Sequence, residues 1–487
     1  MRERTVMWAY MLTGIAVFVL MALVGLAMRM EQAQWITLNA QLFYSLLTLH
    51  GAGMITAMVL CGMGGLWYLM YQEQPMDHGI AWGAYFFIVL GVVCVIGAVA
   101  GGFAAAWTFL YPLPFVGAVW PSWSTGLFLW GIAFVTIGWA LWCTQILGCV
   151  FQAYGGLRGA LAWDLVFHHD EFEKSGRREP PPFAFGALVT AIDGLLAAAA
   201  GMAVGVALIM HWYHPQLPID PLWAKNLTYF FGHTFANLAI YMAIAFVYFA
   251  LPKYTNREWH TSQVLAIAWW GTLAFVATAY FHHLYMDFVQ PRALQYIGEV
   301  ASYLAAFPPA VVTIFGGALL VYRSHLRWTL ASMFFYAGLV GWLIGGIGAV
   351  IDATIPINLS LHNTLWVPAH FHTYLLEGVA MFVFGWIFYM LETRAEAFTP
   401  LLMRWAIGLC VFGGGALLLL GWYVAGAAGV PRRYSMQPAP GPDIASWASI
   451  GAIILIAGIL LCIFEAGRLA LLPRFVPERA PKEGAPA

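Results

Sequence analysis

Charge is scarce in this chain of 487 residues: Asp, Glu, Lys and Arg make up 9% of it, and 21 basic side chains nearly cancel 22 acidic ones. A soluble domain carries charge on about a quarter of its residues, so a water-facing globule is excluded. The net charge of −1, without a basic cluster, leaves nothing to attract a nucleic acid backbone. The six cysteines (Cys61, Cys94, Cys143, Cys149, Cys410 and Cys462) all fall within apolar stretches, and none has metal-ligand spacing. That excludes a thiolate metal site and a disulfide framework and leaves small core residues. No internal repeat is present. The chain reads as one domain, 1–473, followed by a Pro- and Ala-rich tail, 474–487, expected to be disordered on the cytoplasmic side.

What is abundant is hydrocarbon. Apolar residues make up 62% of the chain and the mean hydropathy is +0.78. About twelve apolar stretches reach the roughly 20 residues a helix needs to cross a bilayer. They lie near 7–28, 42–70, 79–102, 124–152, 184–211, 226–251, 261–288, 294–322, 330–355, 364–391, 402–428 and 445–471. The first is read as a span, because its apolar run is too long for a cleavable signal and no small-residue cleavage site follows. The expected fold is an all-α polytopic membrane bundle of about 12 helices. With the N-terminus inside, only Arg29, Lys225, Arg292, Arg432 and Arg433 among the basic residues fall outside. The inward bias places both termini in the cytoplasm. The polar stretch from Phe167 to Pro182 is then an inner connector, and His168 and His169 are solvated loop residues. The uncharged, Trp- and Pro-rich stretch 104–123 reads as a cap on the outer interface.

Against this background the histidines stand out. His50, His233, the pair His282–His283, His370 and His372 lie inside apolar spans, and His362 lies at the rim of one. Intramembrane ionisable groups are expensive and usually functional. The second, sixth and tenth spans run inward and carry their histidines early; the seventh runs outward and carries its pair late. All six therefore share one depth, toward the outer face. Isolated histidines bonded to neighbouring helices would have no reason to agree in depth. His370 and His372 stand about 200° apart around their helix, so they serve two centres, one on each side. His50 can complete the axial pair of one haem, leaving the other haem with an open face. Two imidazoles on one iron make a low-spin haem suited to electron transfer. His233, His282 and His283 can form a three-imidazole site opposite the open face. No carboxylate stands four residues from His233, which favours copper over iron there.

These motifs resemble the catalytic subunit of the haem–copper oxidoreductase superfamily, subunit I. HGAGM at 50–54, GH at 232–233, FHH at 281–283, HNTLWVPAHFH at 362–372 and GVPRRY at 429–434 match in order and spacing, and the likeness spans essentially all twelve helices. It is closest to the B-family oxygen reductases. The resemblance implies that His50 and His372 bind a low-spin haem, His370 a high-spin haem, and His233, His282 and His283 the copper called CuB. Arg432 and Arg433 match an arginine pair that holds haem propionates, as guanidinium–carboxylate pairing favours, and His362 and Asn363 the polar layer beside them. It further implies a multi-pass protein of a prokaryotic-type inner membrane, working in respiratory electron transport. A smaller subunit or an electron donor of cupredoxin or cytochrome c type would dock on its outer side.

The chain departs from the oxygen reductases at one telling place. Those enzymes need a tyrosine beside the copper, covalently joined to a copper-ligating histidine, to supply one electron and a proton. In the B-family it stands one helical turn after the first copper histidine, where this chain has Asn237. Asparagine cannot form that radical, and Tyr241, a further turn on, reads as a packing residue. Asn358 replaces an aspartate that relatives place four residues before the His362 equivalent. AAFPPAVV at 305–312 replaces hydroxyl residues used for proton uptake, although Tyr248 remains. Joining two nitric oxide molecules needs only two electrons and no tyrosine. The chain is most similar in this respect to the sNOR-type nitric oxide reductases, which also carry asparagine here; the substrate expectation is NO, as in denitrification. The alternatives are a terminal oxygen reductase and, from another class, a non-catalytic haem carrier. Asp193, Glu299 and Glu377 lie within spans; Glu299 and Glu377 are candidate proton carriers or helix–helix hydrogen-bond partners, and Asp193 the latter. Protons are expected mainly from the outer side.

Overall fold

The structure, a computed structural model, describes residues 2–106 and 119–472. Most of the expected outer cap and the 474–487 tail lie outside the described residues. The membrane helices in chain order are α1 (Arg2–Gln32), α2 (Ala40–Glu73), α3 (His78–Ala100), α4 (Ser122–Tyr154), α5 (Pro182–Tyr213) and α6 (Pro221–Thr255). They are followed by α7 (Gln263–Phe275), α8 (Arg292–Val321), α9 (Leu330–Ala353), α10 (Trp366–Ala395), α11 (Leu401–Ala427) and α12 (Gly441–Leu471). Eleven of them are long and apolar enough to cross a membrane. The seventh expected span is the exception: α7 stops after 13 residues, and the chain continues through turns into a 3-10 segment, Ala279–Leu284. At the break the Thr278 hydroxyl donates to the Phe275 carbonyl at 3.0 Å, a side-chain bond that competes with regular helix. Both His282 and His283 therefore sit on a tighter, irregular turn.

Helix starts follow local chemistry. Asp220 caps α6 by accepting from the Leu222 and Trp223 N–H groups, ahead of Pro221 at the first helical position. Asn39 caps α2 in the same manner. Most helices pack on their neighbours in sequence, α7 packs on α8 and α5, and α1 closes on α12. α6 and α10 are the most enclosed spans, and both carry histidines. α10 and α11 each contain a π-helical stretch, Thr373–Ala380 and Leu409–Gly413, a widened turn often found at functional sites.

On the connector, Arg158 and Arg177 close over Asp164 at 2.9 and 2.8 Å. The Arg158 hydrogen bond leads in holding that carboxyl below its usual range. His168 and His169 are exposed there, beside Asp164 and Glu173, as solvated loop residues should be.

Candidate active site

One apolar-walled cavity of about 460 Å³ is lined by His50, His233, His282, His283, His370 and His372 together. On one side His233 Nδ1 lies 3.1 Å from His283 Nε2. One nitrogen from each of His233, His282 and His283 falls within 4.8 Å of the others, close enough to share a metal ion. The pair is adjacent in sequence, yet the 3-10 turn brings both rings toward α6, with centroids 4.9 and 5.1 Å from that of His233. His282 Nδ1 meets the Ser302 hydroxyl at 2.9 Å, an outer contact of the kind that fixes a ligand's tautomer and orientation. Asn237 lies one turn below His233. Its amide donates to the His233 carbonyl at 2.8 Å and lies 3.3 Å from His233 Nε2. Tyr241, although it lines the same cavity, packs edge-on against Trp269.

On the other side His50 and His372 face each other with near-parallel rings, centroids 6.1 Å apart and planes 13° apart. Each ring is anchored through Nδ1, His50 to the Met21 carbonyl and His372 to the Pro368 carbonyl, both at 2.8 Å. Those bonds leave Nε2 as the ligand atom on each ring. The separation accommodates one metal ion at bonds of about 2 Å to each imidazole. Gly25 makes this possible, because a side chain there would start 2.7 Å from the His50 ring. His370, two residues before His372, meets Asp352 of α9 at 3.5 Å instead. The two histidines of α10 thus turn to different neighbours, as their spacing predicts.

The rim is polar. Arg432 donates to the Asn363 side-chain oxygen at 2.8 and 3.2 Å, and its backbone N–H to the Asn363 carbonyl. Burial, then Arg433 beside it, brings its guanidinium down to about 10, still charged at neutral pH. His362 Nδ1 meets the Asn358 oxygen at 3.2 Å, and Asn358 donates to the Asp352 carbonyl at 2.6 Å. Asn358 therefore pins His362 to the end of α9.

Arg29, Asp352 and Ser302 belong to this site and were missed in the sequence. Arg29 is buried against the cavity with Nε and Nη2 unpartnered and Nη1 on Gln32; a guanidinium so placed needs an acceptor. Its position at the end of the first apolar span was the available signal. Of the intramembrane carboxylates, Glu299 accepts from Tyr303 and from the Ile355 N–H. Glu377 Oε1 and both oxygens of Asp193 are buried without a partner. The helix–helix hydrogen bond expected of Asp193 is absent among the described residues, a correction: both oxygens are buried on α5 with no donor within hydrogen-bond reach. Tyr248 keeps a hydroxyl partner, Thr313, at 2.5 Å.

The family profile described as "Cytochrome C and Quinol oxidase polypeptide I" matches residues 5–461. The chain belongs to this family. The haem–copper oxidase chain is 26% identical over 473 residues to cytochrome c oxidase subunit 1 of Thermus thermophilus, covering 90% of this chain and 78% of that one. It is 24% identical to cytochrome c oxidase subunit 1 of Pecten maximus, over 90% and 91% of the two chains. A solved haem–copper terminal oxidase dimer shares the fold, with TM-score 0.82 at 20% identity over 97% of this chain and 85% of that one. The protein is accordingly a multi-pass oxidoreductase whose family carries two haems and CuB. This chain's own atoms fit those groups: three imidazoles converge on one point, two more face each other across a metal-sized gap, and Arg29 presents unpartnered N–H groups to the cavity.

Proposed function

We propose that the protein is a membrane-bound nitric oxide reductase, catalysing 2 NO + 2 e⁻ + 2 H⁺ → N₂O + H₂O. His50 and His372 would hold the low-spin haem, His370 the high-spin haem, and His233, His282 and His283 the copper. When bound, the high-spin haem and copper supply one electron each, replenished through the low-spin haem. The chain's own part is to orient and enclose. Ser302 fixes the His282 ring, carbonyls fix His50 and His372, and apolar walls admit a small uncharged gas. Arg29, Arg432 and Arg433 supply positive charge for propionates at the rim. An electron donor of cupredoxin or cytochrome c type would dock on that side.

The observation that carries this reading is Asn237. Its amide occupies the turn below His233 and offers neither the electron nor the proton that four-electron cleavage of dioxygen takes from a tyrosine. The names of the relatives fit oxygen reduction to water better than NO reduction, and that is the second reading. Anaerobic NO turnover measured against oxygen uptake at equal donor supply separates the two. We expect NO to be reduced faster and no histidine–tyrosine crosslink to appear by peptide mass spectrometry. Vigorous oxygen reduction with Tyr241 bonded to a copper-site histidine would establish the second reading instead.

A further inference from the structure

The three imidazoles that converge on one point come from two pieces of chain. His233 belongs to the long helix α6, and His282 and His283 to the 3-10 segment Ala279–Leu284. A 3-10 turn has poorer hydrogen-bond geometry than an α-helix, and here the Phe281 N–H reaches the Thr278 carbonyl only at 3.4 Å. The place of the histidine pair therefore depends on side chains from neighbouring helices. Ser302 and Gln295 of α8 bond the Ala279 and Tyr285 carbonyls, and Tyr285 donates to the Ala353 carbonyl of α9 at 3.0 Å. Those bonds tie the segment to α8 and α9 and leave its distance from α6 to other contacts.

Apart from the histidines themselves, two side-chain bonds cross from α6, and they come from adjacent residues. Lys225 Nζ donates to Asp287 Oδ1 at 2.7 Å, and the Tyr280 hydroxyl donates to Asn226 Oδ1 at 3.0 Å. Asn226 stands seven residues before His233, two turns nearer the helix start on the same face of α6. Tyr280 stands two residues before His282, and Asp287 four residues after His283. The two bonds thus bracket the histidine pair. Between them and His233, the Tyr229 ring stacks on His283 with centroids 5.4 Å and planes 26° apart. Asp287 Oδ2 is buried without a hydrogen-bond partner, and among the described residues Lys225 is the only ion-pair partner of that carboxylate.

We propose that Lys225–Asp287 and Asn226–Tyr280 form a latch that sets how tightly the three-histidine site keeps its metal ion. With the latch shut, one nitrogen from each of His233, His282 and His283 lies within 4.8 Å of the others. With it open, the segment moves off α6 and takes two of the three ligands along, which leaves one imidazole to hold the metal. Lys225 and Asp287 are positioning residues in this scheme and touch no substrate. Their side chains are 33% and 22% exposed, so salt screens the pair and should speed metal release. The proposal rests on these histidines being a metal centre, as proposed above, and not on which gas is reduced there.

The test is metal retention by the purified protein. Asp287→Asn removes the charge and keeps the shape, Tyr280→Phe removes one hydroxyl, and Lys225→Arg keeps the ion pair. In dialysis against a copper chelator, Asp287→Asn and Tyr280→Phe should lose copper about tenfold faster than the native protein, the lower end of what contacts behind metal ligands contribute. Haem spectra should stay native in both, and Lys225→Arg should keep its copper as the native protein does. Added salt should quicken copper loss from the native protein and not from Asp287→Asn. The infrared band of carbon monoxide on the reduced copper, which reports ligand geometry, should shift in Asp287→Asn and Tyr280→Phe and stay in place in Lys225→Arg. Native retention and a native band in both variants overturn the latch alone. A native protein that carries no metal at these histidines overturns the metal-centre reading and the latch with it, so the two failures are told apart.

Discussion

At the residue scale, the six intramembrane histidines were legible because an imidazole in an apolar run has few reasons to be there and helix geometry fixes where it points. His370 and His372 illustrate this: their two-residue spacing points them apart, and they meet Asp352 and His50 respectively. Replacing His50 or His372 with alanine should therefore remove the low-spin haem signal in optical and EPR spectra while high-spin haem and copper stay in place. Loss of both haems together would mean the faces of α10 are not independent. Ser302, Asp352 and Arg29 were not legible, because serine, aspartate and arginine gain meaning only from the partner brought to them by folding. Ser302 is ordinary until His282 arrives from 20 residues upstream.

At the element scale, span number and rough limits followed from hydropathy, but two kinds of irregularity did not. The break after Phe275 leaves the apolar run uninterrupted in sequence, since Val276, Ala277 and Ala279 are as apolar as the helix before them. The π stretches of α10 and α11 have no compositional mark either. They matter because Glu377 of the first reaches Gly415 of α11, where a Cβ would start 1.8 Å from Glu377 Oε1. Gly415→Ala should destabilise the protein by about 1–3 kcal/mol, as overpacking of a tight core does, seen as a lower thermal midpoint in detergent. Glu377→Ala placed beside it should recover most of that loss, since contacting sites are coupled. Equal melting of Gly415→Ala and native protein would show that α10 and α11 yield easily here.

At the scale of the whole molecule, the scarcity of charge that marks the sequence becomes an orientation. The connector, with Arg158 and Arg177 closed on Asp164, lies at one end of the bundle, and the rim with Arg432 and Arg433 lies at the other. The inward bias of basic residues predicts the connector in the cytoplasm, and with it the rim, where a donor and protons are expected to arrive, outside. Cysteine makes this measurable. None of the native thiols is exposed, and Cys61, Cys143, Cys149 and Cys462 are buried, so labelling by a membrane-impermeant maleimide starts from a low background. Ser175, exposed on the connector, and Met436, 79% exposed beyond the arginine pair, are suitable positions for single added thiols. In cells, Met436→Cys should label from outside and Ser175→Cys only after the membrane is inverted. The reverse pattern would place the rim in the cytoplasm. An outer electron donor and outer proton entry would then both be untenable, even if every histidine were assigned correctly.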